Sequence, residues 1–523
     1  MRQEIDYGQF RYEAFSLMWR DVKRKEFFKL SIEDMDDLNL LVFKKLIQEK
    51  REIDISEWLS EMPINKEDSL YRQEVMSDFV GSNVLFETLF KYGEEAHKLM
   101  AMGKFAFEKE ATVYNVIKRL DEVENIRLMV EQVIGVLNQA DIKSEGLNRY
   151  KRLIREIIDS PIYEAFIGDV KIIKSLDGGV KSIKIGLNLD EYLQPVEAIL
   201  LELSNEEFKY SRFMKKMGYY VNAGVNEIKM IPRKLFARET VKPPEALNTL
   251  EKTIEPATLQ LIKFCDQFNM KILEVLSVLY HELPYYQIGL DLVEKLKANN
   301  EPVCIPKWED EIFLENIYHI NLGIDQKEEV VKNTLRFTKE KPIVILTGAN
   351  RGGKTTITQT ISIALWFGQL GFYLPGTTNL LPYVHELLIH FPKEERETIH
   401  LGRLGEECKR FKDLYSISSP NSFYLMNEAF QGTSHGESLQ IALETLKAIY
   451  VKGGMVLFNT HLHELVEELE KEIPPSHIIS LIAGKDMKKS PYVIEEGRPL
   501  GKSYAYEIAK RYGMLYEQLV EEN

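Results

Sequence analysis

The chain has 523 residues, a net charge of −14, three cysteines, and 44% apolar or aromatic side chains. At roughly 100–200 residues per domain this gives about three domains with packed cores, not a disordered chain. The acidic balance lends no compositional support to nucleic-acid binding, which ordinarily draws on a basic surplus, although a local basic groove is still compatible with it.

The first sixty residues mix charges and scattered aromatics and predict short helices. From Asp68 to Ile157 the pattern is helical. Val113, Val116, Leu120, Val123, Ile126, Val130, Val133 and Leu137 recur every three or four positions, which places them on one stripe of a long bundle helix. Val170–Ile173 and Ser182–Ile185 flank Asp177-Gly178-Gly179, a turn signal between two strand-like runs. Helical character returns from Leu250 to Leu296, and prolines 302 and 306 put a boundary near Asn299–Lys307. Beyond Phe313 the chain reads α/β, with buried-strand runs at Pro342–Thr347, Phe423–Met426 and Met455–Phe458 separated by helical patterns. These runs are too short to cross a bilayer, and residues 1–4 lack the apolar core of a signal peptide. Scattered thiols suit a reducing compartment, so the expected location is cytoplasmic. The expected fold is multidomain: a helical segment over residues 1–60, a helical core over 61–300 with a small β insertion near 170–190, and an α/β P-loop domain over 301–523.

Gly348 to Thr355 matches G-x-x-x-x-G-K-[ST], between a strand run and a helical run. Gly348, Gly352 and Gly353 let the backbone curl so that amide N–H groups face phosphate oxygens, and the following helix presents its positive end. Lys354 is expected to reach the β- and γ-phosphates of ATP, and the Thr355 hydroxyl to bind Mg²⁺. The second strand run ends in Asn427-Glu428, where P-loop ATPases carry an acidic pair. Glu428 can polarise the attacking water. Asn427 stands where an aspartate usually supports Mg²⁺, and its amide oxygen accepts from metal-bound water without carrying charge. The third ends in Asn459-Thr460-His461. His461 falls where ABC-type ATPases place a γ-phosphate-sensing histidine.

The flanks of these motifs narrow the resemblance. Thr347 to Thr356 resembles the MutS family's T-G-P-N-M-G-G-K-S-T, with Asn350 and Thr356 at matching positions. Leu425-Met426-Asn427-Glu428 followed by Gly432-Thr433-Ser434 resembles L-M-D-E-x-x-x-G-T-S. Phe458 to His461 is similar to F-A-T-H, Gly371 to Pro375 to G-x-Y-V-P, and Gly501 to Tyr504 to the late K-S-Y-G. Asn333 lies where the family has an asparagine beside its adenine-contacting residues, which implies that role for Val330 and Val331. Upstream, Met62-Pro63 and Tyr71-Arg72-Gln73 resemble the start of the family's helical core. The resemblance implies an ABC-type ATPase domain that forms a homodimer, helical levers, and an ATP-driven DNA clamp acting with repair or recombination proteins.

Three departures accompany it. The chain is too short for the family's mismatch-reading and connector domains in full, and no Phe-x-Glu wedge is visible. Asn427 replaces an aspartate. No Ser-Thr pair lies between His400 and Leu414, where the family's serine reaches the partner's ATP. An alternative expectation is therefore a slow or inactive ATPase serving as a nucleotide-locked scaffold. His385-Glu386 to His390 spaces its histidines five apart and fails the zincin geometry. The basic clusters at Arg149–Arg155, Lys209–Lys216 and Lys485–Lys489 are read first as solvated faces.

Overall fold

The computed structural model describes residues 15–40, 56–103, 113–161, 163–164, 167–168, 182–189, 191, 195–204, 206, 243–325, 330–349, 351–392, 402–484, 492–499, 510, 512–514 and 516–521. Two compact units interleave along the chain. One contains Glu87–Ala140 and Arg149–Tyr280, the other Ala14–Phe86, Asp141–Asn148 and His281–Asn523. Among the described residues no helix is long and apolar enough to cross a membrane.

In the first unit the helix Val113–Gln139 buries Val123, Ile126, Val130, Val133 and Leu137, as the spacing requires. The side chains of Val113, Val116 and Leu120 lie outside the described residues. Part of the Arg149–Arg155 cluster is spent on this helix: Lys151 Nζ donates to Leu137 O at 2.9 Å, and Arg155 to Asn138 Oδ1 at 2.8 Å. Ser182–Leu189 pairs antiparallel with Pro195–Ser204. The expected first arm, Val170–Ile173, lies outside the described residues, as do Lys209–Lys216 and Lys485–Lys489. The Leu250–Leu296 run falls within the helix Pro243–Ala298.

The second unit is built on a six-stranded sheet. Its order is Glu386–His390, Ser422–Asn427, Met455–Asn459, Ile343–Gly348, Ile478–Ala483 and Ile494–Glu496, all parallel except the last. Helices cover the sheet, so its inner strands read as unbroken apolar runs instead of alternating ones. Ile343, Ile345, Tyr424, Met426, Val456 and Phe458 meet Ala442, Leu446 and Ile449 in one core. A four-stranded sheet of Lys307–Trp308, Thr378–Leu381, Glu311–Ile317 and Asn333–Thr338 lies in the same unit.

The helix Lys354–Gln369 is buried along most of its length because the chain's early residues pack on it. Phe27–Lys29 pairs with Glu61–Pro63. Trp366 Nε1 donates to Leu59 O at 2.8 Å, Gln369 Nε2 to Pro63 O at 3.1 Å, and Gln359 Nε2 to Asp37 O at 2.8 Å. Arg72 and Gln73 anchor the helix Lys66–Gly81. The Arg72 guanidinium lies 4.3 Å from the Trp19 ring centroid and donates to Met18 O at 2.8 Å. Gln73 bonds Pro306 O at 2.5 Å and accepts from the Trp308 indole at 3.2 Å.

Candidate functional site

In a parallel sheet, loops at the carboxyl ends of the strands form the crevice where ligands sit. Here that edge carries Gly348, Asn427 and Asn459 on three neighbouring strands. The loop that follows Gly348 has to pass close to the adjoining strand. Gly348 has φ 134°, and a Cβ there would stand 2.3 Å from Ala483 O. At Gly352 a Cβ would stand 3.0 Å from Ala349 O. Gly353, at φ 85°, caps the helix Lys354–Gln369 without a side chain, leaving its first N–H groups open. Asn350 lies outside the described residues.

Lys354 is only 5% exposed, yet its ammonium meets two carbonyl oxygens, Gly348 O at 3.1 Å and Ala349 O at 3.2 Å. Burial pushes its pKa below the usual lysine value, with Glu428 pulling the other way. Thr355 is exposed on the first helical turn, and Thr356 is half-buried.

Asn427 and Asn459 face each other in register. The Asn459 amide donates to Asn427 Oδ1, and Asn427 is 7% exposed. The next residue, Glu428, has φ 47°; its N–H donates to Asn459 O at 2.8 Å. Its Oε1 lies 2.9 Å from His461 Nε2. The hydrogen bond from His461, opposed by burial and aided by the charges of His461 and Lys354, holds the Glu428 carboxyl below its ordinary range. The structure thus brings Lys354, Glu428 and His461 to one edge, within mutual electrostatic reach.

Beside the loop opens a cavity of about 450 Å³ lined by Val330, Val331, Asn333, Gly353, Thr356, His319 and Tyr492, among others. Asn333 ties its far wall, accepting from Ile494 N–H at 2.8 Å and donating to Tyr492 O at 3.2 Å. His319 is 6% exposed, and no well-formed hydrogen bond satisfies either ring nitrogen. Burial pushes its pKa down to about 4, against a smaller pull from Gln359, so the imidazole is neutral at pH 7 and offers one donor and one acceptor. Val330 and Val331, singled out through the resemblance, lie on this wall; His319 and Tyr492 were not singled out. A lone histidine and a lone tyrosine in segments far apart carry no spacing signal.

A further residue missed from sequence is Glu407, on the helix Arg403–Ile417. It is buried and accepts from the Phe430 N–H at 2.7 Å. Gly402, in the stretch that would correspond to the family's serine, caps this helix without a side-chain bond.

Residues 344–522 match the family model described as MutS domain V, and residues 66–299 match the one described as MutS2 N-terminal domain. The chain is similar to proteins named DNA mismatch repair protein MutS. The Persephonella marina protein is 23% identical over 482 residues, covering 87% of this chain and 54% of that protein. The Streptococcus uberis protein is 22% identical over 481 residues, covering 87% and 56%. The Streptococcus mutans protein is 21% identical over 433 residues, covering 77% and 46%. The chain spans about half the length of the curated relatives it matches.

Proposed function

Because the chain belongs to the MutS family, we propose that it binds ATP at the Gly348–Thr356 loop and hydrolyses it to drive a DNA clamp. The observation that carries this reading is the convergence of Lys354, Glu428 and His461 at the ends of three adjacent strands. The loop suits a triphosphate, since Gly353 opens the helix Lys354–Gln369 without a side chain and the Lys354 ammonium rests on carbonyls that phosphate oxygens would replace. The neighbouring cavity suits a purine, with Val330 and Val331 on one wall.

Glu428 orients the attacking water, and His461 senses the γ-phosphate through its bond to Glu428. Catalysis is positioning and charge stabilisation, the main terms in phosphoryl transfer. Thr355 would hold Mg²⁺, with Asn427 accepting from metal-bound water. The ion supplies charge neutralisation on the phosphates. On this reading the chain acts as a homodimer through its ATPase domains, is cytoplasmic, and meets repair or recombination proteins. Residues 1–60 are then an N-terminal segment, 61–300 the levers, and 301–523 the ATPase domain of ABC type.

A second reading, a nucleotide-locked scaffold that turns ATP over slowly, is favoured by one observation. Asn427 carries no charge, and its oxygen already accepts from Asn459. Steady-state ATP hydrolysis by the purified protein, alone and with homoduplex, mismatched and branched DNA, separates the two. Stimulation by one DNA form supports the clamp. Tight ATP binding with background turnover, unmoved by any DNA, sinks it and leaves the scaffold.

A further inference from the structure

The turn after Ser422–Asn427 adopts a conformation that its own residues disfavour. Glu428 has φ 47° and Phe430 has φ 63°. Left-handed backbone costs a non-glycine residue about 1 kcal/mol or more, and it persists only where the surroundings over-determine it. Here three hydrogen bonds fix it. Glu428 N–H donates to Asn459 O at 2.8 Å, Phe430 N–H donates to Glu407 Oε2 at 2.7 Å, and Ser438 Oγ donates to Phe430 O at 2.7 Å. Phe430 is thus held at both its N–H and its C=O.

Of the three acceptors, Glu407 stands out. A carboxylate 4% exposed is a costly group to bury, because its desolvation rivals what a charge-assisted bond returns. One turn on, the half-buried Arg410 answers its charge and donates to Phe391 O at 2.6 Å. Glu407 thus has a cation within electrostatic reach and sits on a helix different from those that carry Lys354 and Ser438.

We infer that Glu407 is a positioning residue: it holds the Glu428–Phe430 turn in its left-handed form and so keeps the Glu428 carboxylate against His461. The direction of Glu428 then depends on the placement of the Arg403–Ile417 helix. The consequence for hydrolysis rests on the role given to Glu428 above; the geometric statement does not.

The test uses the full chain. Nitrogen-15 imidazole spectra of the nucleotide-free protein are recorded for wild type, Glu407→Ala, Glu407→Gln and Glu428→Ala, with His461 assigned from His461→Gln. In Glu407→Ala the His461 resonances should move to their Glu428→Ala positions, while Glu407→Gln, which keeps an acceptor oxygen, should retain those of wild type. Ser434→Ala, which removes the cap of the helix His435–Lys452, serves as a control that loses stability without moving them. His461 resonances unmoved in Glu407→Ala, or moved as far in Ser434→Ala, overturn the inference. If Glu407→Ala does not fold, Glu407→Asp, shorter by one methylene, carries the same comparison. Where wild type turns over ATP, kcat in Glu407→Ala should fall about tenfold, or ~1.4 kcal/mol of barrier, with ATP affinity within about twofold. Glu407→Gln should recover it. A wild type that never hydrolyses ATP would defeat the functional reading, and the spectra would still decide the role of Glu407.

Discussion

Replacing Gly348 by alanine tests the shape of the loop without invoking any ligand. A Cβ there would lie 2.3 Å from Ala483 O and 2.8 Å from Ala483 N, both backbone atoms of the adjoining strand. Ordinary contact begins at 3.4 Å, so the strand ends must part by about 1 Å. That loosens the last pairs of the ladder, Thr347 with Ile482 and Gly348 with Ala483. Overpacking of this kind costs about 1–3 kcal/mol, and a side chain at φ 134° costs about 1–3 kcal/mol more. Gly348→Ala should therefore destabilise the second unit by ~4 kcal/mol. With a urea slope of about 3 kcal/mol/M, its midpoint should drop by about 1.3 M. Tryptophan fluorescence reads this unit selectively, because Trp19, Trp58, Trp308 and Trp366 all belong to it. Gly436→Ala is the internal control. It has no atom within 4 Å of the new methyl and lies in the helix His435–Lys452, so it should stabilise by about 0.5–1 kcal/mol. Equal midpoints for Gly348→Ala and wild type, or equal losses in both variants, would refute the steric argument.

Three more outcomes follow from the site. His319 takes up a proton near pH 6.5 when unfolded but only near pH 4 when folded. Its contribution to stability is complete above pH 6.5 and is lost as pH falls toward 4, by roughly 3 kcal/mol over those roughly 2.5 pH units. Urea midpoints at pH 7 and pH 4.5 should diverge less in His319→Gln than in wild type; identical divergence would show that the imidazole is not desolvated. Lys354→Met removes a buried ammonium that rests on two carbonyls, so the melting temperature without nucleotide should hold or rise, while the increment given by ATP with Mg²⁺ disappears. A lower melting temperature without nucleotide would contradict that account. Asn427→Asp puts a carboxylate at a nearly closed position beside Glu428, so the protein should melt lower without metal and recover with Mg²⁺ and ATP. Hydrolysis should rise about tenfold if the neutral amide limits turnover, and unchanged rates would clear Asn427 of that limit.

The parts of the site that were legible in the sequence are those whose physics is local. Ile343–Leu346, Phe423–Met426 and Met455–Phe458 are unbroken apolar runs of strand length, and each lies in a strand of the central sheet. The loop glycines are legible through the G-x-x-x-x-G-K-[ST] spacing, and close approach to Ala483 is what requires glycine at Gly348 and Gly352. What the sequence concealed depends on register or on distant partners. Asn427 and Asn459 meet only because two parallel strands align at those positions. Glu407 follows another glutamate on an amphipathic helix and reads as solvated until Phe430 is placed beside it. Pro195–Ser204 holds only the short apolar run Ala198–Leu201 between Glu197 and Glu202, a pattern that fits a helix as well as a strand.

The docking of the early chain on Lys354–Gln369 sets a schedule for biosynthesis. The bond from the Trp366 indole to Leu59 O spans 307 residues, and that from Gln359 to Asp37 O spans 322. At about 5–20 residues per second, a ribosome needs roughly 15–60 s to make that intervening stretch. Throughout that interval Leu59, Met62 and the Phe27–Lys29 pairing stand without the surface that later covers them. Exposed apolar surface of this kind favours association with other chains until the helix Lys354–Gln369 has been made and covers it.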